Sequence, residues 1–206
     1  LKRKNFNLLR RKIAREAALL LYSKQEKEYM QAKKRAAETL GVRILPTNRE
    51  VAEELDKLAE EIEGEKRKER LIQMRREAFQ IMQTLKEFEP RLVGSVWRGT
   101  ISKDSDIDIL IYCSNPQLIL ETLQKRGYNI TQTEKQTITK EGERKTSFHI
   151  YLTLSKRSPV EIVVKDIEAK EKSEKCEIYL DKITGLTLED LKKVLESTPL
   201  KKFIPK

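Results

Sequence analysis

The sequence predicts an α+β chain in which a mixed β-sheet core, flanked by helices, follows an N-terminal helical region. Three observations carry this. Up to about residue 88 the apolar residues recur at helical spacing, and after Pro90 the period switches to two. Beyond that switch, short apolar runs are separated by a segment that opens on Pro116, by a polar turn and by a charged connection, as strands of a helix-flanked sheet would be. The expected division is a helical region over 1–88, basic at its start, and a sheet-bearing domain over 89–206.

Each element has its own signal. From residue 8 to about 41, Ile13, Ala17, Leu20 and Leu21, then Tyr29, Ala32, Ala36 and Leu40 mark one long helix or two in series, stopped at Gly41. Asn48 is expected to cap the next helix ahead of Val51, Leu55 and Leu58, with Gly64 ending it. A third helix is expected from 65 to about 88, with Leu71, Met74, Phe79, Met82 and Leu85 on its buried side. Strands follow over 91–93 and 106–112, then a helix from Pro116 to about 126. Residues 128–139 and 146–154 read as strands joined by the turn EGER, and 159–164 as a last apolar strand. IEAKEKSEK, 167–175, is expected to be a solvated connection, and LEDLKKVLE, 188–196, a short closing helix.

Composition narrows the function. Lys and Arg number 43 against 33 Asp and Glu, a net charge of +10, and residues 1–35 alone hold 12 basic residues against 3 glutamates. Such a bias suits anionic partners, and the positive side of the first helix suits a nucleic-acid backbone. No apolar run approaches the roughly 18 residues of a membrane span. The basic start, Lys2 to Lys4, lacks the apolar length and small-residue exit of a secretory signal, so a cytoplasmic protein without membrane partners is expected. Cys113 and Cys176 form no CxxC pair and have no histidine cluster, which argues against a disulfide framework or a zinc site. His149, the sole histidine, alternates with apolar neighbours in SFHIYLTL and reads as a satisfied strand residue; Trp97 reads as packing.

The most informative stretch is GSVWRGTISKDSDIDILIY, 94–112. Residues two apart on a strand share a side, so Asp106 and Asp108 present their carboxylates together while Ile107 and Ile109 face the core. Like charges this close repel unless a hard cation, Mg²⁺ above all, shares their oxygens. Upstream, Gly94 lets backbone N–H groups approach a phosphate, the Ser95 hydroxyl can donate to it, and Arg98 and Lys103 can neutralise further charge. Asp104 is expected to serve the turn.

LVGS, the RGT turn and SDIDILIY together resemble the nucleotidyltransferase superfamily typified by the polymerase β palm, with its hG[GS] pattern followed by Dx[DE] on the next strand. The resemblance spans about 90–166, and with the helical N-terminal part the chain is similar to the predicted nucleotidyltransferases of archaea. It implies a third carboxylate from a later strand: Glu161 in SPVEIVV, where aspartate is commoner, with Asp166 as the fallback. It implies that Asp106, Asp108 and Glu161 hold two Mg²⁺ ions about 4 Å apart, Mn²⁺ being an alternative, for transfer of a nucleoside monophosphate from an NTP to an acceptor hydroxyl with release of pyrophosphate. An RNA 3′ end such as that of tRNA is the expected acceptor. Nucleotidylation of a protein or small molecule, as by antitoxin-like members, and an inactive nucleic-acid-binding module are the alternatives.

Overall fold

The structure is a computed structural model that describes residues 2–140, 143–154, 158–172 and 174–205. Its chain forms two compact units, one of residues up to 67 with 175–181 and 205, the other of 68–174 and 182–204.

In the first unit, α1 (Lys2–Tyr22) and α2 (Tyr29–Thr39) resolve the choice between one helix and two. They meet through small residues: Ala14, Ala17, Ala18, Ala32, Ala36 and Ala37 share a core with Ile13, Leu20 and Val51. Alanines let two helix backbones approach closely, so the cluster is dense although it holds few large side chains. Next comes α3 (Asn48–Thr84), which is interrupted at Gly64 by a non-helical conformation (φ 53°, ψ −132°), where the second helix was expected to end. Its cap is Thr47 rather than Asn48. The Glu50 amide donates to Thr47 Oγ1 (3.2 Å) while the Thr47 amide donates to Glu50 Oε2 (2.6 Å), a reciprocal box that satisfies two end donors. Asn48 Oδ1 instead accepts from Lys33 Nζ at 2.8 Å. The basic face of α1 meets carboxylates of α3: Arg10 pairs with Glu50 (2.5 Å), Arg11 with Glu54 (3.1 Å) and Arg15 with Glu61.

The second unit opens within α3. Leu71, Met74, Ala78, Ile81, Met82 and Leu85 belong to the same core as the sheet, which is why the structural division falls at 67/68 and the expected one at 88. A residue pattern shows that a helix has an apolar side, not which core that side joins. After it come β1 (Arg91–Val93), α4 (Gly94–Arg98), β2 (Ile107–Tyr112), α5 (Pro116–Lys125), β3 (Ile130–Lys140), β4 (Glu143–Thr153), β5 (Pro159–Lys165) and α6 (Leu188–Ser197). The five strands lie in the order β1-β2-β5-β4-β3. Only β2 and β5 run parallel; the other neighbours are antiparallel, giving the mixed sheet expected of the α+β class. Ile107, Ile109, Ile111, Ile150, Leu152, Val160, Ile162 and Val164 are buried on one face, against the apolar side of α3 and residues of α5 and α6.

The β3–β4 hairpin is longer than expected. Pairing continues to Lys140↔Glu143, so two residues of the EGER turn lie in or beside the ladder, while Glu141 and Gly142 fall outside the described residues. Cross-strand threonines extend the pairing, Thr137 and Thr146 sharing a hydroxyl hydrogen bond at 3.2 Å. Within 167–175, Ile167–Lys170 form a single 3-10 turn, and Ser173 lies outside the described residues. Among the described residues no helix is long and apolar enough to cross a membrane.

Candidate active site

Sheet register assembles the site. Asp106 stands just before β2 and Asp108 two residues on, so both project to the face opposite the core isoleucines. Because β5 lies parallel beside β2 with Asp108 directly opposite Glu161, the third carboxylate falls on the same side. Ligand oxygens of Asp106, Asp108 and Glu161 lie within 4.8 Å of one another, Asp106 being the most open of the three.

Their electrostatics follow from this crowding. Burial, then the charges of Asp106 and Glu161, push the Asp108 carboxyl up to about 8. Burial and then Glu161 also raise Asp106. The donor set is all carboxylate oxygen, and it favours protons strongly when nothing else neutralises it; both properties fit a hard divalent cation.

The glycine of the preceding turn is needed for Asp108. Gly94 adopts φ +69°, and a Cβ there would sit 1.8 Å from Asp108 Oδ2. Its neighbour Ser95 is half-buried, and the Ser95 carbonyl accepts from the amides of Gly99 (2.8 Å) and Thr100 (3.0 Å), closing the turn. Lys103 and Asp104 are exposed in the following turn, where Ser105 Oγ accepts from the Ser102 amide at 2.9 Å.

Arg98 is placed differently from the three other expected phosphate contacts in this loop, Gly94, Ser95 and Lys103. Its side chain is buried, lies 4.1 Å from the Trp97 ring centroid, and donates to the Phe203 carbonyl at 2.9 Å. Trp97 is itself part of the core, as its packing reading required. Below the loop, fully buried Arg75 donates to four carbonyls: Val96 (3.1 Å) and Trp97 (3.0 Å) of α4, and Pro199 (2.6 Å) and Lys201 (2.9 Å) of the C-terminal segment. Nothing in the sequence marked Arg75 beyond a cationic residue on the apolar side of a helix.

Asp166 does not join the carboxylate cluster. It is exposed and caps the 3-10 turn, accepting from the Glu168 amide at 3.0 Å. Instead, Tyr151 and His149 of β4 stand beside Glu161, with Ser147 behind His149; from the sequence, His149 read only as a satisfied strand residue. Tyr151 lies opposite Glu161 in the ladder; burial and the neighbouring Glu161 carboxylate lift its phenol to about 12. His149 Nδ1 lies 2.6 Å from Glu161 Oε1, and Ser147 Oγ lies 2.8 Å from His149 Nε2. The alternation at 147, 149 and 151 places them on one face, but only the β4–β5 register aims them at Glu161. Cys113 and Cys176 are free and half-buried.

No curated protein matches the chain. Among solved structures, the Cid1 poly(U) polymerase aligns at 18% identity over 46% of this chain and 32% of its own, with a TM-score of 0.32. A cytoplasmic RNA terminal U-transferase aligns at 19% identity over 54% and 35%, TM-score 0.34, and the GLD-2/RNP-8 complex at 15% over 52% and 39%, TM-score 0.31. This chain thus spans well under half the length of each. The model of the nucleotidyltransferase domain matches residues 75–186, more than half of the chain and all of the strands just described. The chain belongs to the nucleotidyltransferase domain family.

Proposed function

We propose that this protein is a metal-dependent nucleotidyltransferase that moves a nucleoside monophosphate from an NTP to an acceptor hydroxyl, most readily that of an RNA 3′ end, with release of pyrophosphate. The observation that carries the reading is the convergence of Asp106, Asp108 and Glu161 from two parallel strands beside a left-handed glycine. These three carboxylates would hold Mg²⁺, or Mn²⁺ in its place. Bound there, the ions would stabilise charge on the phosphates and lower the pKa of the acceptor hydroxyl.

The chain's own residues do the rest by position. Gly94 and Ser95 would let a phosphate approach the turn, and Lys103 would add positive charge beside it. Arg98 and Arg75 brace that turn from beneath through carbonyls of the C-terminal segment. No side chain is needed as a covalent nucleophile.

RNA as acceptor is favoured by the surplus of positive charge, and tempered by the pairing of Arg10, Arg11 and Arg15 with carboxylates of α3. Those pairs lower the field that α1 can offer a phosphate backbone and support a second reading, nucleotidylation of a protein or small molecule. Incubation with each α-labelled NTP, Mg²⁺ and total RNA or cell lysate separates the two by where the label appears. Asp106→Asn, Asp108→Asn and Glu161→Gln should each abolish transfer without unfolding the chain. Undiminished turnover in any of them, or no transfer to any acceptor with either metal, refutes the assignment.

A further inference from the structure

We propose that His149 is a positioning residue for the third carboxylate, fixing how Glu161 addresses a divalent cation. The inference rests on the reading of Asp106, Asp108 and Glu161 as a metal seat and adds the group that orients its least constrained member.

Asp108 and Glu161 differ in what holds them. Asp108 is pinned against Gly94 and has one methylene, whereas Glu161 has an extra rotatable bond and needs partners to keep its oxygens near the aspartates. It has them on β4. His149 is 8% exposed and sits two residues from Tyr151, on the same face of the sheet. An ionised carboxylate can only accept, so the 2.6 Å contact is Nδ1–H donating to Glu161 Oε1. In the neutral ring Nε2 is then an acceptor, and it takes the hydroxyl hydrogen of Ser147 at 2.8 Å. Ser147, by occupying one ring nitrogen, sets the tautomer and the rotation with which the other meets Glu161.

A histidine merely accommodated in a strand would satisfy its nitrogens with backbone groups or water. Here both nitrogens are taken by side chains, and one of them belongs to the candidate metal ligand. A carboxylate offers about four lone-pair sites, so the bond from His149 orients Glu161 and still leaves acceptor capacity for a cation. Outer partners of this kind are worth about ten- to a hundredfold in metal affinity.

The test uses Mn²⁺ as the probe, its binding followed by the loss of the free-ion paramagnetic resonance signal, with no nucleotide present. His149→Phe keeps the ring's shape and removes the donor; it should weaken Mn²⁺ binding about ten- to a hundredfold. His149→Asn carries an amide N–H close to the place of Nδ1 and should recover most of that loss. Both variants should melt within a few degrees of the parent in chelator, which a role confined to packing would not separate from metal affinity. Unchanged Mn²⁺ affinity in His149→Phe, or in Ser147→Ala should the His149 variants fail to fold, overturns the inference. So does a nucleoside monophosphate found covalently on Ser147, because His149 would then be that hydroxyl's base. If Asp108→Asn and Glu161→Gln also bind Mn²⁺ like the parent, the metal seat itself is wrong, an outcome distinct from failure of His149 alone.

Discussion

Replacing Gly94 with alanine isolates the steric logic of the site. The substitution does two separable things. It places a side chain at φ +69°, where a left-handed backbone costs about 1–2 kcal/mol for a residue bearing a Cβ. It also drives the new Cβ to 1.8 Å from Asp108 Oδ2, so the carboxylate has to move by more than an ångström. The first effect is a stability loss of roughly 2–8 °C in melting temperature for a chain of this size. The second is a displacement of a ligand, and misplacement of that size costs about a hundredfold in rate. Gly127→Ala is the control, because Gly127 has φ +77° and nothing within 4 Å of its built Cβ. Both variants should melt earlier by similar amounts, while only Gly94→Ala loses Mn²⁺ affinity and labelled-nucleotide transfer. Equal activity in the two variants would refute the claim that Gly94 exists to make room for Asp108.

Two further outcomes follow from the same geometry. Without a cation, folded Asp108 keeps its proton up to about pH 8, whereas in the unfolded chain it releases it near its ordinary 3.8. The native state then binds more protons across that window, and stability falls as pH rises through it, by ~1.4 kcal/mol per unit at most. Melting curves in chelator should show this decline, Mg²⁺ should flatten it, and Asp108→Asn should remove most of it; a flat profile in chelator would refute the crowding. Arg75→Met leaves buried carbonyls of Val96 and Trp97 without their donor and should cost about 3 kcal/mol in urea unfolding, with Arg75→Lys recovering only part. A loss below about 1 kcal/mol would mean that the turn above it is held by something else.

Much of this was readable residue by residue. The change of period at Pro90 located the sheet, and Gly94, Asp106 and Asp108 could be singled out because each is a local anomaly: a glycine after a strand, and acids in an isoleucine run. Glu161 was picked out by the resemblance, which calls for a third carboxylate from a later strand, and by being the acid alone among apolar neighbours there. Asn48 and Thr47 are adjacent residues that both cap well, and the choice of Thr47 went with its reciprocal bond to Glu50. Arg98 looked like a phosphate ligand because a loop arginine next to a glycine-serine turn has the right charge. Its burial against Trp97 and the Phe203 carbonyl depends on a segment a hundred residues away. Arg10, Arg11 and Arg15 likewise counted as free charge until α3 was found to oppose them.

What local order along the chain dictates is each strand's two faces, the turn that needs a glycine, and which acids share a side, since these depend on bond geometry over two or three residues. The meeting of Asp108 with Glu161, and of Glu161 with His149, depends on β5 lying between β2 and β4 in one particular register. That order is selected by how the buried isoleucines and valines of β2, β4 and β5 pack together on the far face, a many-body property to which no single stretch of chain holds the answer.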